Sequence, residues 1–307
     1  MEDYNKIIES LNVKLVKARH IKIIQPATVS NYYDTDNYVF LLHDGVIRFG
    51  EQNTELEKGD ILFVPSGRLT RLTFGHESVK VIDNEEYFTN RERYFGAVND
   101  VEAVGMSENS FSYIGFEAKV FDSISFFNSL DIPPFVISGH HALARYIREI
   151  IVENINDTTG KNRVLKIKTE QVAIEIIRYI LRENMFVEQL ATNSTYFKDP
   201  RLIDIFNYIR EQLGGDLSNK VLANVANVSE DYVGQYFKML TGINPQDYIE
   251  YQRMEHAVTL LRTSKKSIRE IGSDVGYKDT AYFCRRFKMM FGIPAGKMRR
   301  RDTMMGA

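Results

Sequence analysis

The sequence predicts an α+β multidomain protein. An N-terminal β-barrel or jelly roll is followed by helices, and a C-terminal all-α domain holds two helix-turn-helix motifs joined by a linker helix. Three observations carry this. Residues 12–120 alternate in polarity and are rich in β-branched and aromatic types, the pattern of strands. Residues 138–186 switch to helical period. Residues 218–301 contain one unit twice: Tyr232, Phe237, Lys238, Met239, Gly242 and Ile243 return as Tyr282, Phe287, Lys288, Met289, Gly292 and Ile293, at an offset of 50 residues without a gap. Such self-similarity marks one supersecondary unit used twice.

In the N-terminal part, residues 1–137, Tyr38-Val39-Phe40-Leu41-Leu42 runs into a turn at Asp44-Gly45. Val46-Ile47-Arg48-Phe49 follows, then a turn at Gly50-Glu51-Gln52-Asn53. Lys58-Gly59-Asp60 turns into Ile61-Leu62-Phe63-Val64-Pro65. Short strands between Gly, Asp and Asn turns predict a barrel or jelly roll. Such a barrel leaves a mouth or interior for one small ligand. Inward alternation gives its lining as Tyr38, Phe40, Leu42, Phe49, Phe63, Arg68 and Arg71. The alternative is an ordinary packed core with two surface arginines.

Residues 138–190 form two amphipathic helices. Leu143, Ile147, Ile150 and Ile151 make one stripe, and Val172, Ile176, Ile177, Ile180 and Leu181 the other, with a break at Asp157-Thr158-Thr159-Gly160. Read from the residues alone, the stripes suit covering the barrel. The adjacent His140 and His141 diverge by about 100° on a helix and share no metal easily. Residues 191–200, with the polar stretch Ala191-Thr192-Asn193-Ser194-Thr195, read as a linker.

Residues 201–307 begin with a helix from Arg201 to Leu213, ended by Gly214-Gly215. In copy one, Ser218 caps a helix through Val221, Leu222, Val225 and Ala226, and a turn follows at Asn227-Val228. Ser229 caps the next helix, where Glu230 and Asp231 suit the positive end of the dipole. Its stripe is Val233, Tyr236, Phe237 and Leu240, with Gly242 as the stop. In copy two, Ser267-Ile268-Arg269-Glu270 is a capping box. Ile268, Ile271 and Val275 face the core, Gly276 turns the chain, and Phe283, Phe287 and Met290 form the second stripe. Between the copies a helix from Pro245 to Arg262 turns Tyr248, Ile249, Met254, Ala257, Val258 and Leu261 inward.

The second helix of such a motif lies in the DNA major groove, its N-terminal half against base edges. With the stripes removed, Glu230, Asp231, Gly234, Gln235 and Lys238 face the groove in copy one. Thr280, Ala281, Cys284, Arg285 and Lys288 do so in copy two. The Arg285 fork suits guanine and Gln235 suits adenine. Lys238, Lys288, Arg299 and the run through Arg301 suit phosphate. A solvated helix face is the plain alternative for any one of these alone.

These residues resemble the DNA-binding domain of AraC/XylS-type bacterial transcription regulators. Copy one matches through Leu222-Ala223, Ser229, Phe237-Lys238, Gly242, Pro245, Tyr248, Arg253 and Ala257. Copy two matches through Ile268, Ile271, Gly276-Tyr277, Tyr282-Phe283, Arg285, Phe287-Lys288, Gly292 and Arg299. The resemblance implies two reading helices entering successive major grooves, a homodimer formed through the helices after the barrel, and contact with RNA polymerase, most often as an activator. Gln235 stands where the family usually has Arg, and Gly272 where it usually has Ala. The tail also departs from the usual pattern. In the N-terminal part, Gly59, Pro65 and Gly67 fit the spacing of the second cupin motif, with Thr70 and Phe74 at its His and Asn positions. The barrel thus resembles the metal-free cupin domain of these regulators.

Composition bounds the alternatives. The chain of 307 residues has net charge −2 and is 44% hydrophobic. Residues 201–307 hold 17 Lys+Arg against 12 Asp+Glu, a net of +5, which leaves −7 for residues 1–200. A basic end on an acidic body suits contact with double-stranded DNA. No run approaches the roughly 20 apolar residues of a membrane span. The N-terminus lacks a signal-peptide pattern. The single cysteine, Cys284, leaves no internal disulfide and fits a reducing cytoplasm. No catalytic group, metal or cofactor is expected, since no metal-ligand cluster, phosphate loop or nucleophile motif is visible. A small-molecule effector stays open. The competing classes are a cupin-type enzyme, a DNA-repair methyl acceptor and a non-specific architectural DNA binder. The missing histidines, the placement of Cys284 and the net charge argue against them in turn.

Overall fold

The computed structural model describes residues 2–75, 80–120, 124–187, 189–190, 199–241 and 244–299. The chain divides into two compact units, Ser10–Phe186, and Met1–Glu9 with Val187–Ala307.

In the first unit the chain shuttles between two sheets. The larger holds β1 (Leu11–Ile23), β3 (Asn37–Asp44), β6 (Ile61–Val64), β9 (Phe95–Val98), β10 (Ser110–Val120), β11 (Ile124–Ser125) and β12 (Phe135–Ile137), in the order β12-β6-β3-β10-β1-β9 with β11 beside β10. The smaller holds β2 (Ala27–Tyr32), β4 (Ile47–Phe49), β5 (Thr54–Glu55), β7 (Thr70–Phe74) and β8 (Lys80–Ile82), in the order β5-β4-β7-β2-β8. The expected turns are in place: Gly45, Gly50 and Gly59 take φ of 92°, 70° and 91°, a region open to glycine.

The two sheets face each other across one aromatic core. Phe74 of the smaller sheet stacks on Phe111 of the larger at 5.3 Å, and Tyr32 meets Phe40 edge-on at 6.4 Å. The larger sheet is also buried on its other face. Val39, Leu41, Ile61, Phe63, Ile114 and Phe116 are fully buried there, and Phe127 of α4 (Phe126–Ser129) packs on Phe63 at 4.8 Å. The helices α5 (His141–Ile155) and α6 (Lys161–Arg182) lie against β1. Their stripes, including Leu143, Ile147, Ile150, Val172, Ile176 and Ile180, are buried within this unit. The helices of residues 138–190 thus pack on the larger sheet, one of the two uses open to their stripes. His140 caps α5, its Nδ1 accepting from the Leu143 amide at 3.1 Å. Under α5, His20 and His43 share the Ser112 hydroxyl at 3.1 and 2.7 Å. Two short helices, α2 (Asn84–Thr89) and α3 (Arg91–Tyr94), connect β8 to β9.

The second unit contains α1 (Glu2–Glu9), α7 (Pro200–Glu211), α8 (Asn219–Ala226), α9 (Glu230–Thr241), α10 (Pro245–Thr263), α11 (Ile268–Asp274) and α12 (Thr280–Phe291). The Tyr4 hydroxyl of α1 donates to the Leu190 carbonyl at 2.6 Å. The polar stretch Ala191–Thr195, Gly242, Ile243 and Arg300-Arg301 lie outside the described residues.

Candidate nucleic-acid interface

Each half of the interface is a short helix, a turn and a longer helix. In copy one, α8 ends at Asn227, left-handed at φ 51°, and the Val228 amide closes onto the Ala223 carbonyl at 3.0 Å. In copy two, Gly276 takes φ 88° and the Tyr277 amide closes onto the Gly272 carbonyl at 2.8 Å. These equivalent bonds are offset by 49 residues, whereas the longer helices are offset by 50. The second turn thus carries one extra residue. The caps also differ. Ser267 and Glu270 form the complete capping box, at 3.2 Å and 2.7 Å. Ser218 occupies the N-cap of α8 without a side-chain cap bond, and its amide is held instead by Asp216 at 2.9 Å. Asp279 caps α12 through the Tyr282 amide at 2.8 Å.

The buried stripes orient the two longer helices. Val233, Tyr236 and Phe237 of α9 are buried; the side chain of Leu240 lies outside the described residues. In α12 the stripe is Phe283, Phe287 and Phe291, all fully buried, with Phe287 and Phe291 rings 4.5 Å apart. Met290, expected as the third member, is half-buried. A pure i, i+4, i+8 spacing places Phe291 closer to the stripe.

The opposite faces match position by position. Asp231, Tyr232, Gln235, Lys238 and Met239 are exposed on α9, and Ala281, Tyr282, Arg285, Lys288 and Met289 on α12. Of the expected contact residues, Gln235 and Lys238 are thus exposed on α9, and Ala281, Arg285 and Lys288 on α12. Among the described residues Gln235, Lys238, Arg285 and Lys288 form no hydrogen bond or ion pair; the Arg285 guanidinium sits 5.9 Å from the Tyr282 ring centroid. Thr280, Cys284 and Gly234 are half-buried at the edge of this face. Arg299 is turned back, its guanidinium donating to the Lys266 carbonyl ahead of α11. Sequence reasoning missed Tyr232, Tyr282, Met239 and Met289. Their signal was available: all four are identities of the repeat, yet none falls on a buried stripe.

A rigid frame joins the halves. From the linker helix α10, Arg253 donates to the Leu213 and Gly215 carbonyls, each at 2.9 Å. A Cβ on Gly276 would sit 2.8 Å from its guanidinium carbon, and one on Gly214 only 2.4 Å from the Asp274 carbonyl oxygen. Glu250 of α10 holds Arg286 of α12 through both carboxylate oxygens, so Arg286 serves the frame while its neighbour Arg285 stays free. Gly272 has a cause as well: an added Cβ would press on the Phe283 ring at 3.2 Å.

The expected ligand lining is split. Tyr38, Phe40 and, partly buried, Phe49 meet in the core between the sheets. Phe63 points to the other face of the larger sheet, against Phe116, Phe127 and Phe135, because that sheet is buried on both sides. Arg68 pairs with Asp131. Arg71 alternates with the inward Leu72 and lies on the outer face. The cation that the structure does bring to the aromatic interior is Arg91. It donates to the Tyr113 hydroxyl at 3.0 Å and lies 5.5 and 5.9 Å from the ring centroids of Tyr113 and Tyr87. Its sequence context, Asn90-Arg91-Glu92-Arg93, reads as surface and held no signal. Among the described residues no group of three or more His, Cys, Asp or Glu could hold a metal ion. No described helix is long and apolar enough to cross a membrane.

Residues 222–301 match a family model described as a helix-turn-helix domain. Over 94 residues the chain is 33% identical to the MmsAB operon regulatory protein of Pseudomonas aeruginosa, which covers 31% of each chain; the chain thus spans about a third of that relative's length. It is 30% identical over 112 residues to the transposon Tn10 TetD protein of Escherichia coli, covering 36% of this chain and 81% of TetD. The crystal structure of ToxT from Vibrio cholerae O395 superposes with a TM-score of 0.54 at 12% identity, over 96% of this chain and 99% of that one. At that identity the likeness is one of fold.

Proposed function

The chain belongs to the AraC-type family of helix-turn-helix DNA-binding transcription regulators, and we propose that it regulates a promoter by reading two successive major grooves, one with each copy. The observation that carries this is the coincidence of five exposed positions on α9 and α12. Two surfaces kept in the same register suit two turns of one duplex. Arg285 is the strongest base reader, Gln235 its counterpart, and Lys238 and Lys288 take phosphate. Ala281 on the exposed face and Thr280 at its edge complete the contact set, whereas Arg299, expected on phosphate, is held by the Lys266 carbonyl and is left out of it. The remaining parts of the reading follow from the family: a homodimer, contact with RNA polymerase and a cytoplasmic setting.

We place a small-molecule effector of the first unit at the inter-sheet core around Tyr38, Phe40, Phe49 and Arg91, where a cation meets aromatic rings. A ligand favouring one arrangement of the DNA-binding units would shift the population of promoter-competent protein. An enzymatic role is disfavoured by relatives named as regulators.

The test is binding of the full chain to DNA from upstream of its own and neighbouring genes, by fluorescence anisotropy with random competitor at several salt concentrations. Tight binding that survives competitor, with a footprint over two adjacent major grooves, is expected. Binding abolished by competitor with a steep salt slope would mean phosphate contact alone and would overturn the sequence-specific reading.

A further inference from the structure

On a helix of 3.6 residues per turn, Tyr282 and Arg285 stand on one ridge, directly away from the buried phenylalanines of α12. Tyr232 and Gln235 stand on the same ridge of α9. Tyr232 and Tyr282 are 43% and 47% exposed, and each is the third residue of its helix. Packing accounts for only part of each ring: Tyr232 lies 5.7 Å from Tyr236 and Tyr282 6.0 Å from Tyr277, different partners in the two copies, and nearly half of each side chain stays exposed. Cap chemistry does not account for the identity, since the Asp279 cap uses the Tyr282 backbone amide. What the two copies share at this position is the surface outside.

Resting on the reading of two DNA-reading helices, we propose that Tyr232 and Tyr282 are equivalent apolar contacts, each seating its helix on a thymine methyl beside the base pair addressed by Gln235 or Arg285. The ridge is the line that reaches the groove floor, whereas Lys238 and Lys288 lie about a quarter-turn round, towards the walls. On the floor the apolar group of the major-groove base edges is the thymine 5-methyl. The tyrosine lies three residues before the reader, about 4.5 Å along the axis, or roughly one base pair. In copy two the ring also flanks the Arg285 guanidinium and limits where it can point. A protein partner cannot cover these rings while the same ridge lies in a groove. The two half-sites therefore share a thymine and differ at its neighbour, guanine for Arg285 and adenine for Gln235.

The test is selection of duplexes from a random library by the full chain, followed by replacement of single thymines with deoxyuridine, which removes only the methyl. Two half-sites about 10 base pairs apart are expected, each with a thymine at the equivalent position. Deoxyuridine there should weaken binding about fourfold, the equivalent of one buried methyl. Y282A should lose that dependence in its half-site, and Y282F should keep it, because the ring makes the contact. Both variants alter an exposed side chain, and their circular dichroism should match the parent. Enriched sites without a shared thymine would overturn the proposal. So would an equal deoxyuridine loss in parent and Y282A, or a Y282F as weak as Y282A, which would point to a phosphate contact. Tyrosine variants with unchanged affinity and sequence preference would assign the rings to a protein surface and overturn it too. A library with no enriched sequence would instead sink the DNA-reading function beneath it.

Discussion

Substituting Gly276 by alanine tests whether the second turn and the linker helix are one mechanical joint. Gly276 sits at φ 88°, where an L residue costs about 1–2 kcal/mol. Its new Cβ would lie 2.8 Å from both Cζ and Nη2 of Arg253, so the guanidinium must move. That guanidinium holds the Leu213 and Gly215 carbonyls; hydrogen bonds to a charged group contribute about 1.5–3 kcal/mol each. Arg253 is half-exposed and water replaces part of the loss, so a further 1–2 kcal/mol is a fair share, for about 2–4 kcal/mol in all. Gly160 calibrates the strain alone: its φ is 84° and nothing lies within 4 Å of an added Cβ. Gly160→Ala should cost about 1–2 kcal/mol. In an Arg253→Ala background the cost of Gly276→Ala should fall to the same value, a coupling of at least about 1 kcal/mol. Two units make a single unfolding curve unsafe. The assay is therefore urea-dependent hydrogen exchange of the full chain, read separately in peptides from 199–299 and 10–186. A Gly276→Ala no costlier than Gly160→Ala, or a cost unchanged by removing Arg253, would refute the joint.

Arg285→Ala should weaken binding to the selected site by about 1–3 kcal/mol and relax preference at one base pair, with stability unchanged; undiminished affinity in anisotropy would remove it from base readout. Arg286→Ala should do the reverse, lowering the protection of α12 in hydrogen exchange through loss of Glu250; unaltered protection would refute its frame role. Ser267→Ala should destabilise the second unit by about 1 kcal/mol, whereas Ser218→Ala should be near neutral because its side chain makes no cap bond; equal losses in urea would contradict the cap assignment. Burial, with the nearby His20, Arg148 and Lys58 charges, holds His43 down to about 3, and burial also lowers His20. The fold favours the neutral rings, so this contribution is complete above about pH 6.5. It falls away as pH drops towards 3, by up to about 1.4 kcal/mol per pH unit for His43. Exchange protection of β1, β3 and β10 should weaken between pH 7 and 5, and a His43→Gln variant should flatten the trend; pH-independent protection would refute it.

The second unit was legible because its pattern is local. Phe237 and Phe287 are buried by the same helical period that the sequence displays, and the Ser267–Glu270 box is written in four residues. The first unit was legible in its turns but not in its faces. Every residue of β3 from Asn37 to His43 is buried, since helices cover the back of that sheet, so alternation carries no direction. Phe63 was therefore assigned to the wrong side. Arg91 was invisible for another reason: its partners Tyr87 and Tyr113 come from a neighbouring short helix and a distant strand, and no periodicity announces a cation brought inside by topology. The membership of α1 in the second unit is a long-range fact of the same kind, resting on contacts such as Tyr4 with Leu190.

The two copies share a frame and differ in electrostatics, and the difference has a direction. From Ser218 to Thr241, Lys220 and Lys238 are balanced by Glu230 and Asp231; from Ser267 to Arg299, seven Lys and Arg face three Asp and Glu. On the reading proposed above, phosphate attraction would fall mainly to copy two, even with Arg286 and Arg299 engaged within the unit, and with it most of the salt dependence. Asp231 stands where copy two has Ala281, so copy one adds an acidic group at its groove face and repels wherever no base donor meets it. That arrangement costs affinity and sharpens choice. On that reading copy two would hold the duplex through phosphate while copy one accepts or rejects the adjacent groove. The division works only if the halves keep a fixed register, which is what Arg253, Gly214 and Gly276 enforce at the joint between them.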